Sequence, residues 1–334
     1  MKKIFLITAI VLISIVACRK DNTTDGPSIA EIYSSFKVMT PFSASNDSVN
    51  FASGQKITFS AAFNKVVNWE ITITGQTSKA KKVITGQSRE ITTLNALWNG
   101  STSFFPMFKQ ELCEAKLKIE NETDSFMLPI RILGTKTNQG FVIADFENGL
   151  NTAWTKFIQS GANMDFKVKT DASSPQANSY LNMAGTVNWD WLIGLIDYPA
   201  TAYGTAKTFP LNSNPDNVYL NCLIYGDASA ANTSLVLFQI KEDENADGVI
   251  NASTEDEYDY EIKVDWSGWK LVSLRYSDIV TLVNGQPSTP KGNGLHNPDK
   301  IGKISMLHLA NPNNGFASTK IDYIVFTNDK PLEP

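Results

Sequence analysis

Apolar and polar residues alternate along several short segments in the first third of the chain. In "WEITITG", Trp69, Ile71 and Ile73 fall on one side of an extended segment, with polar residues between them. "KITFSAAF" and "AKLKIEN" repeat this period of two. Such alternation, interrupted by polar breaks, predicts half-buried antiparallel strands. Several strands of this kind within about 100 residues indicate an Ig-like β-sandwich.

The region from 141 to 330 shows the same alternation in further segments. They include "NVYLNCLIYG", "SLVLFQI", "YDYEIKVD" and "WKLVSLRYSDI", and no long segment has the period of 3.6 residues that a helix requires. In the first of them, Val218, Leu220, Cys222 and Ile224 share one side. We therefore predict a second all-β region with the two-sheet architecture of a jelly roll. The intervening "ILGTKTNQG" has the composition of a linker.

The chain begins "MKKIFLITAIVLISIVACRKDN", which has the layout of a secretory signal. Two lysines precede an apolar run, Ile4 to Val16, that is short for a membrane span. The run ends in a small residue followed by Cys18, and this junction resembles the lipobox of bacterial lipoproteins. The resemblance implies that Cys18 becomes the lipid-carrying mature N-terminus. The alternative is an ordinary signal peptide with an incidental cysteine.

These patterns divide the chain into four parts. Residues 1–17 are the predicted lipoprotein signal peptide, and 18–32 form a polar tether. Residues 33–135 form the predicted Ig-like domain, and 136–334 form the jelly-roll domain. The predicted fold class is all-β, an N-terminal Ig-like β-sandwich followed by a β-sandwich jelly roll.

Charge and reactive side chains narrow the classes of function. The net charge is −5 and no basic block occurs, which argues against nucleic acid as a partner because phosphate binding needs clustered Lys and Arg. Cys113 and Cys222 stand among apolar residues in different predicted domains, which favours buried free thiols. There are two histidines, and no G-x-S-x-G or H-E-x-x-H motif occurs, so catalysis has little support. A glycosidase-style pair of carboxylates stays open.

Residues 241–260 gather eight acidic side chains. Asp243, Asn245 and Asp247 stand at positions 1, 3 and 5 of a pattern that resembles the first half of a calcium loop, and Gly248 follows at position 6. Ca²⁺ prefers six to eight oxygen ligands, and alternate side chains of a tight loop converge on one point. The spacing therefore predicts a structural calcium ion.

The remaining ligands of this loop are less defined. The carbonyl of Val249 is expected to turn inward, and Thr254 stands where an EF-hand has glutamate. Glu255 or Asp256 is left to close the shell. The alternative is a solvated acidic hairpin tip without an ion.

Three short motifs carry a family resemblance. "ADFENG", "GWKLVSLRYSDI" and "IDYIVF" resemble segments of galactose-binding-like jelly rolls, with the family 11 carbohydrate-binding modules as the nearest family. The whole chain resembles the surface glycan-binding lipoproteins of Bacteroidetes. The resemblance implies a second structural calcium ion, held by Asp145, Glu147 and Asp322. The alternative is that Asp145 and Asp322 face outward from strands.

Aromatic side chains are candidates for stacking on sugar rings. The expected glycan-binding set comprises Trp189, Trp191, Tyr198, Tyr203 and Trp154. The two tryptophans at 189 and 191 share one face of an extended segment, about 6.6 Å apart. Val187 and Ile193 lie on that face too, so a place in the core is an equal alternative.

Together these observations predict a lipid-anchored protein of the bacterial outer membrane, exposed at the cell surface. Its C-terminal domain is expected to bind a polysaccharide or oligosaccharide without cleaving it. The resemblance adds other proteins of a glycan-uptake complex as partners. A glycoside hydrolase or polysaccharide lyase on the same jelly roll is the alternative, as is a purely structural surface protein.

Overall fold

The computed structural model describes residues 35–137, 140–187, 191–227, 233–311 and 315–334. The predicted signal peptide, Cys18, residues 18–32 of the tether, and Trp189 lie outside these ranges. The described chain is built from strands and short 3₁₀ turns, with no α-helix in those ranges. This confirms the all-β prediction.

The first seven strands form one sheet, with the spatial order β1-β3-β6-β7-β2 and with β4 and β5 paired to β3. Their bounds are Val38–Ala44 (β1), Ser48–Asn50 (β2), Ile57–Gly75 (β3), Lys81–Ile91 (β4), Leu97–Trp98 (β5), Leu112–Ile119 (β6) and Ser125–Gly134 (β7). Trp69, Ile71 and Ile73 are buried with Leu117 in a cluster drawn only from this part of the chain. Gly86 lies against the Trp69 indole, where a Cβ atom would approach the ring to 2.3 Å. The alternating apolar residues thus form a core of their own.

The later strands form a six-stranded and a five-stranded sheet. The six-stranded sheet has the order β10-β11-β20-β13-β16, with β8 paired to β20. Its strands are Phe141–Ala144 (β8), Asn163–Thr170 (β10), Ser179–Thr186 (β11), Val218–Gly226 (β13), Gly268–Arg275 (β16) and Phe316–Asn328 (β20). The five-stranded sheet has the order β15-β14-β19-β12-β9. Its strands are Thr155–Ile158 (β9), Leu192–Pro199 (β12), Thr233–Glu242 (β14), Glu257–Val264 (β15) and Ile301–Asn311 (β19). A small hairpin, Leu282–Val283 (β17) and Gln286–Pro287 (β18), lies apart from both.

One core lies between these two sheets. Leu220 and Ile224 of β13 share a buried cluster with Val236 and Phe238 of β14. Because successive side chains of a strand alternate between its faces, this packing turns the remaining residues of β14 toward the outer face. The result is a β-sandwich whose five-stranded sheet carries both apolar and polar side chains on its outer face.

A third cluster joins the two parts of the chain. Met107 packs with Leu223, Tyr323 and Leu332, and the Met107 backbone N–H donates to the carbonyl of Pro175 at 2.7 Å. Cys113 and Cys222 are buried free thiols in the separate cores, as predicted. Within the described ranges, no helix is both long and apolar enough to cross a bilayer.

Candidate functional site

Apolar side chains cover one half of the outer face of the five-stranded sheet. Strand register places Leu195, Leu307 and Leu237 side by side across β12, β19 and β14. Leu309 and Leu235 form a parallel row beside them. These leucines form a cluster separate from the core of the sandwich. The sheet therefore presents an apolar floor on the side that faces away from its own core.

Polar side chains cover the other half of this face. Asp197, Ser305, Gln239 and Asp259 form one row across β12, β19, β14 and β15. The Ser305 hydroxyl donates to Asp197 Oδ1 at 2.5 Å. Lys303 lies 3.6 Å from the Asp197 carboxylate. Hydrogen-bonding groups thus stand next to the leucine floor.

A groove of about 630 Å³ runs over the junction of these two halves. The β17–β18 hairpin forms one wall, and Trp191, 42% exposed, lies along the groove. The lining residues are Trp191, Leu192, Leu237, Gln239, Asp259, Glu261, Leu282, Asn284, Gly285, Gln286 and Leu309. In this groove an exposed indole, aliphatic side chains and hydrogen-bonding groups meet.

Asp259 is the most deeply set polar group of the groove. It is 1% exposed, and its Oδ2 accepts the backbone N–H of Leu282 at 2.9 Å. Its Oδ1 has no hydrogen-bond partner among the described residues. Burial raises the pKa of this carboxyl to about 6, although the N–H of Leu282 opposes the shift. An unpaired buried acceptor is costly unless a ligand satisfies it.

Of the expected glycan-binding aromatic residues that the structure describes, which exclude Trp189, only Trp191 lines this groove. Tyr198 is wholly buried in the core, and the Trp154 ring packs edge-on against it with a centroid distance of 4.9 Å. Tyr203 packs against Phe209, and its hydroxyl donates to the carbonyl of Ile143 at 2.7 Å. Tyr198 is part of the core and is not available to a glycan, so the prediction is wrong for it. Trp154 and Tyr203 are partly buried against that core, away from this groove, and their role in glycan binding stays a prediction.

The groove residues that sequence reasoning missed lie on β12, β14, β15, β19 and the hairpin. Gln239 and Leu237 lie on the face of β14 opposite the buried Val236 and Phe238, and that period of two is the signal that was available. Their convergence with Asn284 and Gln286 depends on where the hairpin folds. No local pattern specifies that position.

The predicted calcium loop has the tight turn that its spacing implies. Asp243 is buried, and its two carboxylate oxygens accept the N–H groups of Asp247 and Gly248 at 3.0 and 2.7 Å. Asn245 Oδ1 accepts the same Asp247 N–H at 2.8 Å. The Lys207 ammonium donates to the carbonyl of Asp247 at 2.7 Å. Val249 is 67% exposed.

The residues of the second expected calcium site lie close to one another. Asp322 is fully buried, so the alternative of an outward-facing residue is wrong for it. Burial raises the pKa of Asp322 to about 8, and the Glu147 carboxylate adds to the shift. Asp145 Oδ1 accepts the Glu147 N–H at 3.2 Å. The buried Oε1 of Gln176, in the turn before β11, has no hydrogen-bond partner among the described residues. These oxygen donors fit a hard cation.

A third set of acids converges where β14 ends. Glu242, Glu244 and Asp256 each place a carboxylate oxygen within 4.8 Å of the others. Burial raises the pKa of Glu242 to about 8, while hydrogen bonds from Tyr276 and Asn297 oppose the shift. The sequence prediction had assigned the ion to Asp243, Asn245 and Asp247 instead. It had kept Asp256 as one of two candidates for closing the shell.

The N-terminal sheet has a groove of its own, of about 800 Å³. It is lined by polar and charged side chains such as Glu70, Lys118 and Glu120 around Trp69. Trp69 is 2% exposed, so its ring is not available for stacking. The groove on the five-stranded sheet is therefore the better candidate for a ligand site.

No protein-family model and no curated protein matches the sequence. Among solved structures, a family 11 carbohydrate-binding module from Clostridium thermocellum in complex with a β-1,3-1,4-mixed-linked tetrasaccharide is 20% identical. That match covers 56% of this chain and 95% of the module, with a TM-score of 0.39. SGBP-B from a complex xyloglucan utilization locus in Bacteroides uniformis is 12% identical over 86% of this chain and 73% of its own, with a TM-score of 0.35. An exo-β-agarase is 13% identical over 57% of this chain and 25% of its own, with a TM-score of 0.37. With TM-scores below 0.5, these likenesses do not bear on what this chain binds.

Proposed function

We propose that the protein binds a polysaccharide or oligosaccharide in the groove of the five-stranded sheet, without cleaving it. The observation that carries the proposal is the junction of a leucine floor with a polar row beside the exposed Trp191. A pocket with an apolar lining and a few placed polar groups is typical of a ligand site.

The chemistry of a sugar matches such a surface. A pyranose ring has an apolar C–H face and a rim of hydroxyl groups. Trp191 offers a rigid apolar plane whose ordering costs little conformational entropy. The unpaired Oδ1 of Asp259 offers an acceptor for a hydroxyl donor, and Gln239 and Gln286 line the same groove.

Hydrolysis is the second candidate, and one observation favours it. Asp259 and Glu261 are two residues apart on β15 and both line the groove, and the raised pKa of Asp259 suits a general acid. Two carboxyl groups on one strand are roughly 7 Å apart at their Cα atoms. They stand on the same side of a bound chain, whereas glycosidases use two carboxyl groups that flank the scissile bond. Binding without cleavage is therefore the better-supported function.

The finer features of the proposal concern location and ions. Lipid attachment at Cys18 would anchor the protein to the bacterial outer membrane at the cell surface, where other proteins of a glycan-uptake complex would be its partners. Calcium ions held by the 243–249 loop and by Glu147 with Asp322 would have a structural role. Both sets supply the oxygen donors that calcium prefers.

The proposal is tested by affinity electrophoresis and calorimetry against a panel of soluble glycans. Trp191→Ala should lower the affinity for the retained glycan by about tenfold or more, which corresponds to about 1.4 kcal/mol of binding free energy. A loss of this size is expected when a central aromatic contact is removed. Asp259→Asn should weaken it as well. Phe104→Ala is the matched control, since Phe104 is 62% exposed on another part of the chain.

Two results would contradict the proposal. One is an unchanged affinity in the Trp191→Ala protein when its melting temperature is unchanged, which would place the binding surface elsewhere. The other is release of reducing sugar by the wild-type protein, which would favour the hydrolase.

A further inference from the structure

Residues 329–334, which follow β20 and form no helix or strand, contact both folded regions of the chain. We call them the strap. The Asp329 N–H donates to the carbonyl of Asn217 at 2.7 Å, and the Thr327 hydroxyl donates to the carbonyl of Lys330 at 2.7 Å. The strap is therefore held at its start by the C-terminal sandwich.

Leu332 anchors the strap in the interior. It is 5% exposed, and its N–H donates to Asn221 Oδ1 at 3.0 Å. Asn221 lies on β13 and is fully buried, and its Nδ2 donates to the carbonyl of Val325 and to Thr327 Oγ1 at 3.2 and 3.0 Å. A buried acceptor is costly to leave unpaired. The strap thus completes the hydrogen bonding of a polar side chain inside the sandwich.

The next two residues of the strap bind the N-terminal region, residues 35–134, and the link that follows it. The backbone oxygen of Pro334 accepts the Thr102 N–H at 3.0 Å. Thr102 lies between β5 and β6. The carbonyl of Glu333 accepts a hydrogen bond from the Lys136 ammonium, just after β7. One short segment is therefore hydrogen-bonded to both regions.

An apolar cluster reinforces this arrangement. Met107 of the N-terminal region and Leu332 of the strap belong to one buried cluster with Leu223, Tyr323 and Val325 of the sandwich. Small contacts between domains usually permit relative motion. Here the apolar contact is combined with hydrogen bonds on both sides of the strap, so a movement of either region would break several interactions at once.

We propose that the strap couples the N-terminal region and the C-terminal sandwich into one cooperative unit. Neither region then unfolds or reorients alone, because either change would expose Leu332 and leave Asn221 Oδ1 without its donor. The N-terminal region is accordingly a rigid support for the sandwich, and the groove keeps a fixed direction relative to it.

Differential scanning calorimetry of the full chain tests the coupling. The wild type should melt in one transition whose calorimetric and van't Hoff enthalpies agree, which is the mark of one cooperative unit. Leu332→Ala removes the apolar anchor of the strap, and Met107→Ala removes its partner in the N-terminal region. Each should divide the melting into two transitions. Leu295→Ala and Met127→Ala make the same changes on exposed side chains, and each should keep the single transition.

A substitution in the core of the N-terminal sheet measures whether the regions are connected. Ile71 is fully buried there, and Ile71→Val should lower the melting temperature of its region by about 3 °C. In the otherwise wild-type chain the whole transition should shift, since the sandwich unfolds with the sheet. In the Leu332→Ala chain, Ile71→Val should shift one of the two transitions and leave the other in place.

A shortened chain keeps the test decisive if Leu332→Ala does not fold. Without Glu333 and Pro334, the chain retains the Leu332 anchor and loses the hydrogen bonds to Thr102 and Lys136. This chain should fold, and its melting should also divide into two transitions, of which Ile71→Val shifts one.

Either of two results would overturn the proposal. A wild type that melts in two transitions, only one of which responds to Ile71→Val, would show that the regions are independent. A single transition that Ile71→Val shifts as a whole, in both Leu332→Ala and the shortened chain, would show that the strap does not couple them. Separation in Met107→Ala alone would then assign the coupling to the direct contact of Met107 with Pro175.

Discussion

His308 makes the stability of the C-terminal sandwich depend on pH in a direction that the structure specifies. The residue lies on β19, paired with Val236 and Gly194 of the flanking strands, and is fully buried. Neither ring nitrogen has a hydrogen-bond partner among the described residues. Burial lowers the pKa of His308 from 6.5 to about 4, and the Ala317 backbone opposes this shift only in part.

The size of the effect follows from linkage. Below pH 6.5 the unfolded chain binds a proton at this histidine, whereas the folded chain does so only near pH 4. Stability is therefore lost as the pH falls from 6.5 to 4. The relation gives a loss of about 2 kcal/mol between pH 7 and pH 5. The full loss below pH 4 is about 3.4 kcal/mol, since each pKa unit corresponds to about 1.36 kcal/mol.

The measurement is urea unfolding at pH 7, 6 and 5, followed by tryptophan fluorescence, for the wild type and for His308→Gln and His308→Leu. Other groups titrate in this range, but they cancel in the difference between each variant and the wild type at one pH. That difference should move by about 2 kcal/mol between pH 7 and pH 5 in favour of both variants. His308→Leu also removes two unpaired ring nitrogens, so it should be stable if the larger side chain is accommodated.

One result would refute this reasoning. If the difference between wild type and His308→Gln stays constant from pH 7 to pH 5, the histidine has the same pKa in both states. The ring would then be hydrated or hydrogen-bonded in solution.

Three further predictions address the groove, the loop and the anchor. Trp191→Ala and Asp259→Asn should each weaken glycan retention in affinity gels while far-UV circular dichroism stays unchanged, and a collapse of the spectrum would make them core residues. Calcium should raise the melting temperature, since it binds only the folded loop, with an affinity on the order of 10⁻⁴–10⁻³ M. Asp243→Ala combined with Asp247→Ala should abolish much of that gain, and a wild-type curve that chelator leaves unmoved would contradict a calcium loop. Cys18→Ala should lose lipid labelling and leave the membrane fraction, and persistence there would contradict lipidation.

The sequence predicted the elements of this fold because burial in a sheet imposes a period of two. Ile57, Trp69, Leu117 and Leu220 all lie in cores, on the sides that the alternation assigned to them. The same pattern identified Cys113 and Cys222 as buried thiols. These features depend on each strand alone, so a local pattern suffices.

The aromatic residues show where local patterns stop being informative. Tyr198 and Trp191 are both aromatic residues near the same strand, yet one is wholly buried and the other is 42% exposed. The residue type alone does not distinguish an aromatic side chain in the core from one that binds a ligand. The packing of the second sheet decides which of the two it becomes. Tyr198 belongs to the core because its side chain lies on the inner face of β12, where the partly buried Trp154 ring packs edge-on against it.

The acidic segment shows the same division for charge. Its composition predicted an ion near residues 241–260, and the turn at Gly248 followed from the spacing. Which carboxylates converge was decided by tertiary structure, because Glu242 at the end of β14 and Glu244 in the following turn meet Asp256, which lies just before β15. By itself, the sequence determined the strands, their buried sides and the charge of the loop. Only the folded chain brings together side chains that are distant in sequence, and both the groove and the acidic cluster consist of such side chains.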